Sequence, residues 1–119
     1  SRLLIDNSTL DIEAGRFVTA EKTIDKYISF FPSKCEGYYL KGKLIYQKGS
    51  EADTAKALLF FEKSVSLNSS YAEPYKEIGY INFKLNNKKK ASAAFKKYLS
   101  LKPNAQDSEY IKEYINQCN

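Results

Sequence analysis

Two carboxylate pairs stand four residues apart, Glu73 with Glu77 and Glu109 with Glu113. That spacing puts each pair on one helix face, an arrangement from which acid–base or metal chemistry could be built. Neither pair has a further ligand beside it in the sequence, and carboxylates on helices are ordinarily surface charge. There is no His in the chain, which removes the commonest general base and the commonest transition-metal ligand. Ser-His-Asp, Cys-His and His-based zinc chemistry are excluded with it. Cys35 and Cys118 are the only cysteines, too few for a disulfide framework and without the close pairing of a redox or zinc motif. Both are expected to be free thiols. No catalytic residue, metal ligand or cofactor is therefore assigned, and the expectation is a chain that is not an enzyme.

The other charged groups lean basic. Nineteen Lys and Arg against fourteen Asp and Glu give a net charge of +5, which permits acidic partners without demanding them. The densest run is Lys88-Lys89-Lys90, with Lys84 one turn before and Lys96-Lys97 after. It could touch phosphates, but no aromatic side chains interleave with it as they do in single-strand binders. Lysine runs at turns ordinarily serve solubility, so nucleic acid is a disfavoured partner. No apolar stretch approaches the roughly 18 residues of a membrane span. The start, Ser1-Arg2-Leu3-Leu4-Ile5-Asp6, lacks the apolar core of a signal peptide. The absence of any Met suggests an excised or processed piece. The compartment stays open between the cytoplasm and, if a signal has been removed, a bacterial periplasm or envelope. With 119 residues, 43% of them hydrophobic, one domain over 1–119 can bury about two-thirds of its unfolded surface.

The elements that would position any site follow from an internal repeat. Ala91-Ser92-Ala93-Ala94-Phe95-Lys96-Lys97-Tyr98-Leu99-Ser100-Leu101-Lys102-Pro103 echoes Ala20-Glu21-Lys22-Thr23-Ile24-Asp25-Lys26-Tyr27-Ile28-Ser29-Phe30-Phe31-Pro32. Ala, a bulky apolar residue, Tyr, an aliphatic and Pro recur at the same offsets. A third copy runs from Ala57 through Phe61, Ser64, Val65 and Leu67, with Ser69 in the place of the proline. Ala57 to Ala91 is 34 residues and Ala20 to Ala57 is 37. The upstream halves repeat as well: Tyr38 and Gly42 lead to Gly49 as Tyr75 and Gly79 lead to Asn86-Asn87. Their apolar residues fall at helical spacing, and Gly49 or the Asn pair is a left-handed stop. The second halves, around 17–31, 53–68 and 88–101, carry the same period.

This pattern resembles the tetratricopeptide repeat family, in a form similar to bacterial members, over residues 1 to about 105. The resemblance implies an all-α, right-handed superhelical solenoid of about seven helices. Its repeats would cover about 1–34, 35–71 and 72–105, with a capping helix at about 106–118. Ala20, Ala57 and Ala91 take the small position that opens the second helix. Gly42 and Gly79 take the glycine of the first helix, with Ser8 as its substitute in the first repeat. Pro32 and Pro103 take the inter-repeat proline. Asp11, Ile45 and Asn82 depart from the family's usual Tyr, and Tyr27 and Tyr98 from its usual Ala. Three extra residues near Ser50-Glu51-Ala52 are expected to lengthen the second turn. Tyr110, Ile111, Tyr114 and Ile115 give the final helix an apolar face, as the end of a repeat stack requires.

The family implies a non-catalytic scaffold that takes a peptide or a helix of another protein on the first-helix faces. By offset those faces hold Arg2, Ile5, Thr9 and Ile12, then Tyr39, Lys43, Tyr46 and Gln47, then Lys76, Tyr80, Phe83 and Lys84. The candidate binding residues are Ile5, Thr9, Tyr39, Lys43, Tyr46, Lys76, Tyr80, Phe83 and Lys84; of the residues on these faces, Ile12, Tyr46 and Phe83 suit packing between helices better than an open groove. Lysines among tyrosines favour an acidic ligand. The clamp that grips acidic chaperone tails is missing: its places hold Ile5, Thr9, Leu40, Glu73 and Glu77, and a carboxylate ligand would be repelled. Self-association is a further partner class. The alternatives are a docking or regulatory segment of a larger protein, through a looser resemblance to repeat domains of bacterial envelope proteins, some attached to zinc-dependent peptidases, and nucleic-acid binding through the lysine run.

Overall fold

Positive-φ residues end each of the first helices. Gly15 (φ 78°), Gly49 (57°) and Asn86 (64°) adopt the left-handed conformation that stops a helix and turns the chain back. A computed structural model describes residues 2–119. It contains the helices α1 (Arg2–Glu13), α2 (Phe17–Phe30), α3 (Cys35–Lys48), α4 (Glu51–Leu67), α5 (Glu73–Lys84), α6 (Lys88–Leu101) and α7 (Ser108–Gln117). The fold is all-α, with no strand among the described residues. α2 and α6 stop two residues short of Pro32 and Pro103, because the residue before a proline is pushed out of helical geometry.

The chain divides into two compact units, α1–α4 up to Asn68 and α5–α7 within Ser69–Asn119. In the first, Ile12, Ala20, Ile24, Leu40 and Leu44 form the core, with Ile5, Phe17, Ile28 and Tyr39 packed against it. In the second, Ala72, Ala91, Phe95, Tyr98 and Ile111 form the core, flanked by Tyr75, Tyr80, Phe83, Tyr114 and others. Ala20, Ala57 and Ala91 are all fully buried. A Cβ built on Gly42 would lie 2.7 Å from the Phe61 ring, and one on Gly79 would lie 2.5 Å from the Phe95 ring. Each glycine thus lets the second helix of its own pair approach through a phenylalanine. Ser8 and Ile24 hold the equivalent places in the first pair, both buried, and the Ser8 hydroxyl has no hydrogen-bond partner among the described residues.

The three extra residues of the second pair do not lengthen its turn, contrary to the sequence expectation. Gly49 and Ser50 alone separate α3 from α4, and the insertion makes α4 17 residues long where α2 and α6 have 14. A capping box is the reason: the Ser50 hydroxyl accepts from the Asp53 amide while the Asp53 carboxylate accepts from the Ser50 amide. Helix initiation moves upstream to the cap.

The departures from the family pattern also have local explanations. Asp11 accepts from Arg16 at 2.9 Å, and Asn82 accepts from the Asn87 amide group at 3.4 Å. These are the same two offsets, so a polar residue there ties the helix to its own turn. Tyr27 is buried, and its ring lies where a Cβ on Gly37 would come within 2.9 Å. The large residue on α2 is matched by the absence of a side chain on α3. Tyr38 donates to the Pro32 carbonyl at 2.7 Å and Tyr75 to the Ser69 carbonyl at 2.9 Å, so the inter-repeat corner is pinned alike with or without proline. Lys63 lies over Tyr38 and Lys97 over Tyr75, a further contact repeated at equal offsets.

Candidate functional site

In the first unit, α1 and α3 pack against each other and bring their candidate residues to one core. Ile5 and Tyr39 are half-buried against the same cluster, and the Tyr39 ring lies 5.8 Å from that of Phe61. The Thr9 hydroxyl donates to the Ile5 carbonyl at 2.9 Å, which spends its donor within α1. Lys43 is half-buried, with its Nζ 5.7 Å from the centroid of the Tyr39 ring. No carboxylate pairs with it among the described residues. Tyr46 is half-buried one turn further along α3.

The neighbouring Lys41 differs, its Nζ lying 2.7 Å from Asp25. Lys41 lines a pocket of about 170 Å³ with Glu21, Ile45, Lys48, Asp53 and Lys56. That pocket shares no residue with the candidate face, and Lys48 is answered there by Glu21 at 3.6 Å.

In the second unit Lys76 already has a carboxylate beside it. Its Nζ lies 2.8 Å from Asp107 Oδ2 and 5.2 Å from the Tyr98 ring centroid, and the side chain is only 24% exposed. The other oxygen, Asp107 Oδ1, accepts from the Tyr98 hydroxyl at 2.8 Å. Burial alone would raise the Asp107 pKa, but the hydrogen bonds from Lys76 and Tyr98 outweigh it and hold the carboxyl below its ordinary value. Burial pulls Lys76 down, and the bond to Asp107 more than restores it. Tyr80 meets Phe95 and Tyr114 edge-on at 5.3 and 5.2 Å, and burial pushes its hydroxyl up to about 12. Phe83 meets Tyr114 at 5.0 Å. Lys84, the fourth candidate on α5, is exposed.

Asp107 was missed by sequence reasoning. The signal available was its place just before an amphipathic stretch, where an N-cap belongs. It stands there, yet its side chain makes no cap bond to α7.

The other groups able to do chemistry are accounted for singly. Glu73 pairs with Lys102, and Glu109 with Lys112 at 3.0 Å. Cys35 is buried and its thiol is pushed up to about 11 by burial and by Glu36, while Cys118 is half-buried, and both are free. Lys88, Lys89 and Lys90 form the exposed first turn of α6. No group of three or more metal-ligating side chains occurs among the described residues. No described helix is long and apolar enough to cross a membrane.

No protein-family model matches the chain, and no curated protein matches it. Solved structures do. The first TPR of Spaghetti (RPAP3), bound to the HSP90 peptide SRMEEVD, superposes with a TM-score of 0.81 at 20% identity, over 97% of this chain and 89% of that one. The TPR domain of Arabidopsis OM64 gives 0.82 at 13% identity, over 98% and 93%. The first TPR domain of human RPAP3 gives 0.78 at 18% identity, over 98% and 92%. The buried alanines, the glycine–phenylalanine contacts and the left-handed turns are those of helix-turn-helix repeats, and the fold of this chain is the tetratricopeptide-repeat fold.

Proposed function

We propose that the chain is a non-catalytic protein-interaction module that takes an acidic peptide or helix of another protein on the first-helix face of its first unit. The observation that carries this reading is Lys43, a half-buried ammonium over Tyr39 with no carboxylate partner among the described residues, on the helix that also carries Tyr46, while Ile5 packs against the same core cluster as Tyr39. A cation held on an aromatic ring beside apolar surface favours a carboxylate whose neighbouring side chains are apolar or aromatic. The likeness to a repeat domain that holds a peptide supports the same class of partner. The tail that domain holds is a poor candidate here. Leu40 is buried, and Glu73 and Glu77 stand where a clamp would need donors.

Lys43→Glu tests the reading alone. Lys76→Glu is unsuitable, because it would set a second carboxylate against Asp107. Proteins captured from native lysate by the wild-type chain and by Lys43→Glu are compared by mass spectrometry, and the partner lost by the variant is titrated calorimetrically. The expected result is at least tenfold weaker binding with unchanged helicity. Equal binding by both chains would overturn the assignment.

A further inference from the structure

The first-helix face of the second unit already has an occupant. Residues 105–118 supply both halves of it, a carboxylate from Asp107 to Lys76 and Tyr98, and a ring from Tyr114 to Tyr80, Phe83 and Phe95 at 5.0–5.5 Å. Asp107 stands at the N-cap of α7 but gives none of its acceptor capacity to α7. Both of its oxygens are spent on α5 and α6. For a residue whose local role is capping, this is the geometry of a ligand carboxylate in a receptor rather than of a helix start.

We propose that α7 is a built-in ligand for the α5 face, and that a partner helix with an acidic residue followed seven positions later by an aromatic one displaces it and binds there. The inference rests on the reading of first-helix faces as binding faces. The occupant itself defines the partner's chemistry, since Asp107 and Tyr114 are seven residues apart and their receptors, Lys76 with Tyr98 and Tyr80 with Phe83, are fixed on α5 and α6. Displacement is feasible for three reasons. α7 has ten residues, too few to be a stable helix in isolation. It buries only Ile111 fully. It follows α6 through residues 102–107, so α5 and α6 stay joined to each other by the chain when it moves. A partner that supplies the same carboxylate and ring restores what α7 gives up.

Two measurements on the full chain test this. In the wild type, α7 amides should exchange through a local opening, at least tenfold faster relative to their intrinsic rates than the amides of Ile81 and Phe95. Exchange of α7 in step with α5 and α6 would overturn the proposal. The second uses a fluorescein-labelled synthetic peptide of residues 105–118 and its counterpart with Asn at the Asp107 position, read by anisotropy. Asp107→Asn in the protein weakens the chain's own α7, so this variant should bind the Asp-containing peptide at least tenfold more tightly than the wild type does. The Asn counterpart should lose that gain. Equal affinity of both proteins, or indifference to the peptide's carboxylate, would overturn the proposal. Either failure alongside a Lys43→Glu variant that still loses its partner would discard α7 as a ligand and leave the first-unit reading standing.

Discussion

Gly79→Ala sets two opposed effects against each other in one helix. Alanine in place of glycine in a helix interior is favourable by about 1 kcal/mol through the lower entropy of the unfolded chain. The new Cβ would stand 2.5 Å from two carbons of the Phe95 ring, roughly an ångström inside normal contact. The ring has nowhere to go, since it is fully buried and bounded by Tyr80 at 5.3 Å and Tyr114 at 5.5 Å. Overpacking of this kind costs about 1–3 kcal/mol, and the lost fit of Tyr80 and Tyr114 puts the site at the upper end. The net expectation is destabilisation by about 1–2 kcal/mol, a fall in Tm of roughly 4–8 °C. Urea and thermal unfolding followed by circular dichroism give the number, and a cycle with Phe95→Leu gives its cause. In the Phe95→Leu background the added methyl has room, so Gly79→Ala should become neutral or stabilising, with a coupling of about 1 kcal/mol or more. A Gly79→Ala variant more stable than wild type, or one whose penalty survives Phe95→Leu, would refute the close-approach argument.

Two further outcomes follow from single buried or paired groups. Ser8→Ala removes a buried hydroxyl that has no partner among the described residues while keeping its Cβ, and should stabilise the chain by about 1 kcal/mol; a loss of stability in urea unfolding would show that the hydroxyl is bonded in solution. The Asp107 contact should be pH-dependent with a definite sign. Its folded pKa lies below the ordinary 3.8, so its stabilisation is present above that value and lost as pH falls through the folded one. Lys76 is raised above 10.5, so its part is present below that value and lost as pH rises through the folded one. The Tm difference between wild type and Asp107→Asn should therefore be level through the neutral range and shrink at both extremes. A difference that does not shrink at all as pH falls below 3.8 would mean the carboxylate charge is not what holds α7.

Much of the fold was legible because a repeat states each rule more than once. Ala20, Ala57 and Ala91 mark the fully buried small positions of the second helices, and Gly42 and Gly79 mark where Phe61 and Phe95 enter. Gly49 and Asn86 mark backbone conformations that other residues resist. The turn length of the second pair was misread because an insertion is visible in sequence while its place in helix or loop is not. Ser50 and Asp53 settle it by reciprocal capping. Gly37 carries no signal of its role in the sequence, and its reason is the bulk of Ile28 and Tyr27 on a different helix.

The candidate site divided along the same line. Periodicity determines which residues share a face, because the rise and turn of a helix are local properties. Lys43 and Lys76 therefore look alike in sequence, each a lysine on a first helix beside a tyrosine. Whether such a lysine is open or committed depends on a carboxylate brought to it by the chain path, and Asp107 is 31 residues from Lys76. Pairing at that separation is a tertiary event, since the desolvated contact exists only once α5, α6 and the start of α7 have packed. The sequence by itself determined the helices, their crossings and the faces they present. Only the tertiary structure decided that Lys76 meets a carboxylate, Asp107, while no carboxylate among the described residues reaches Lys43.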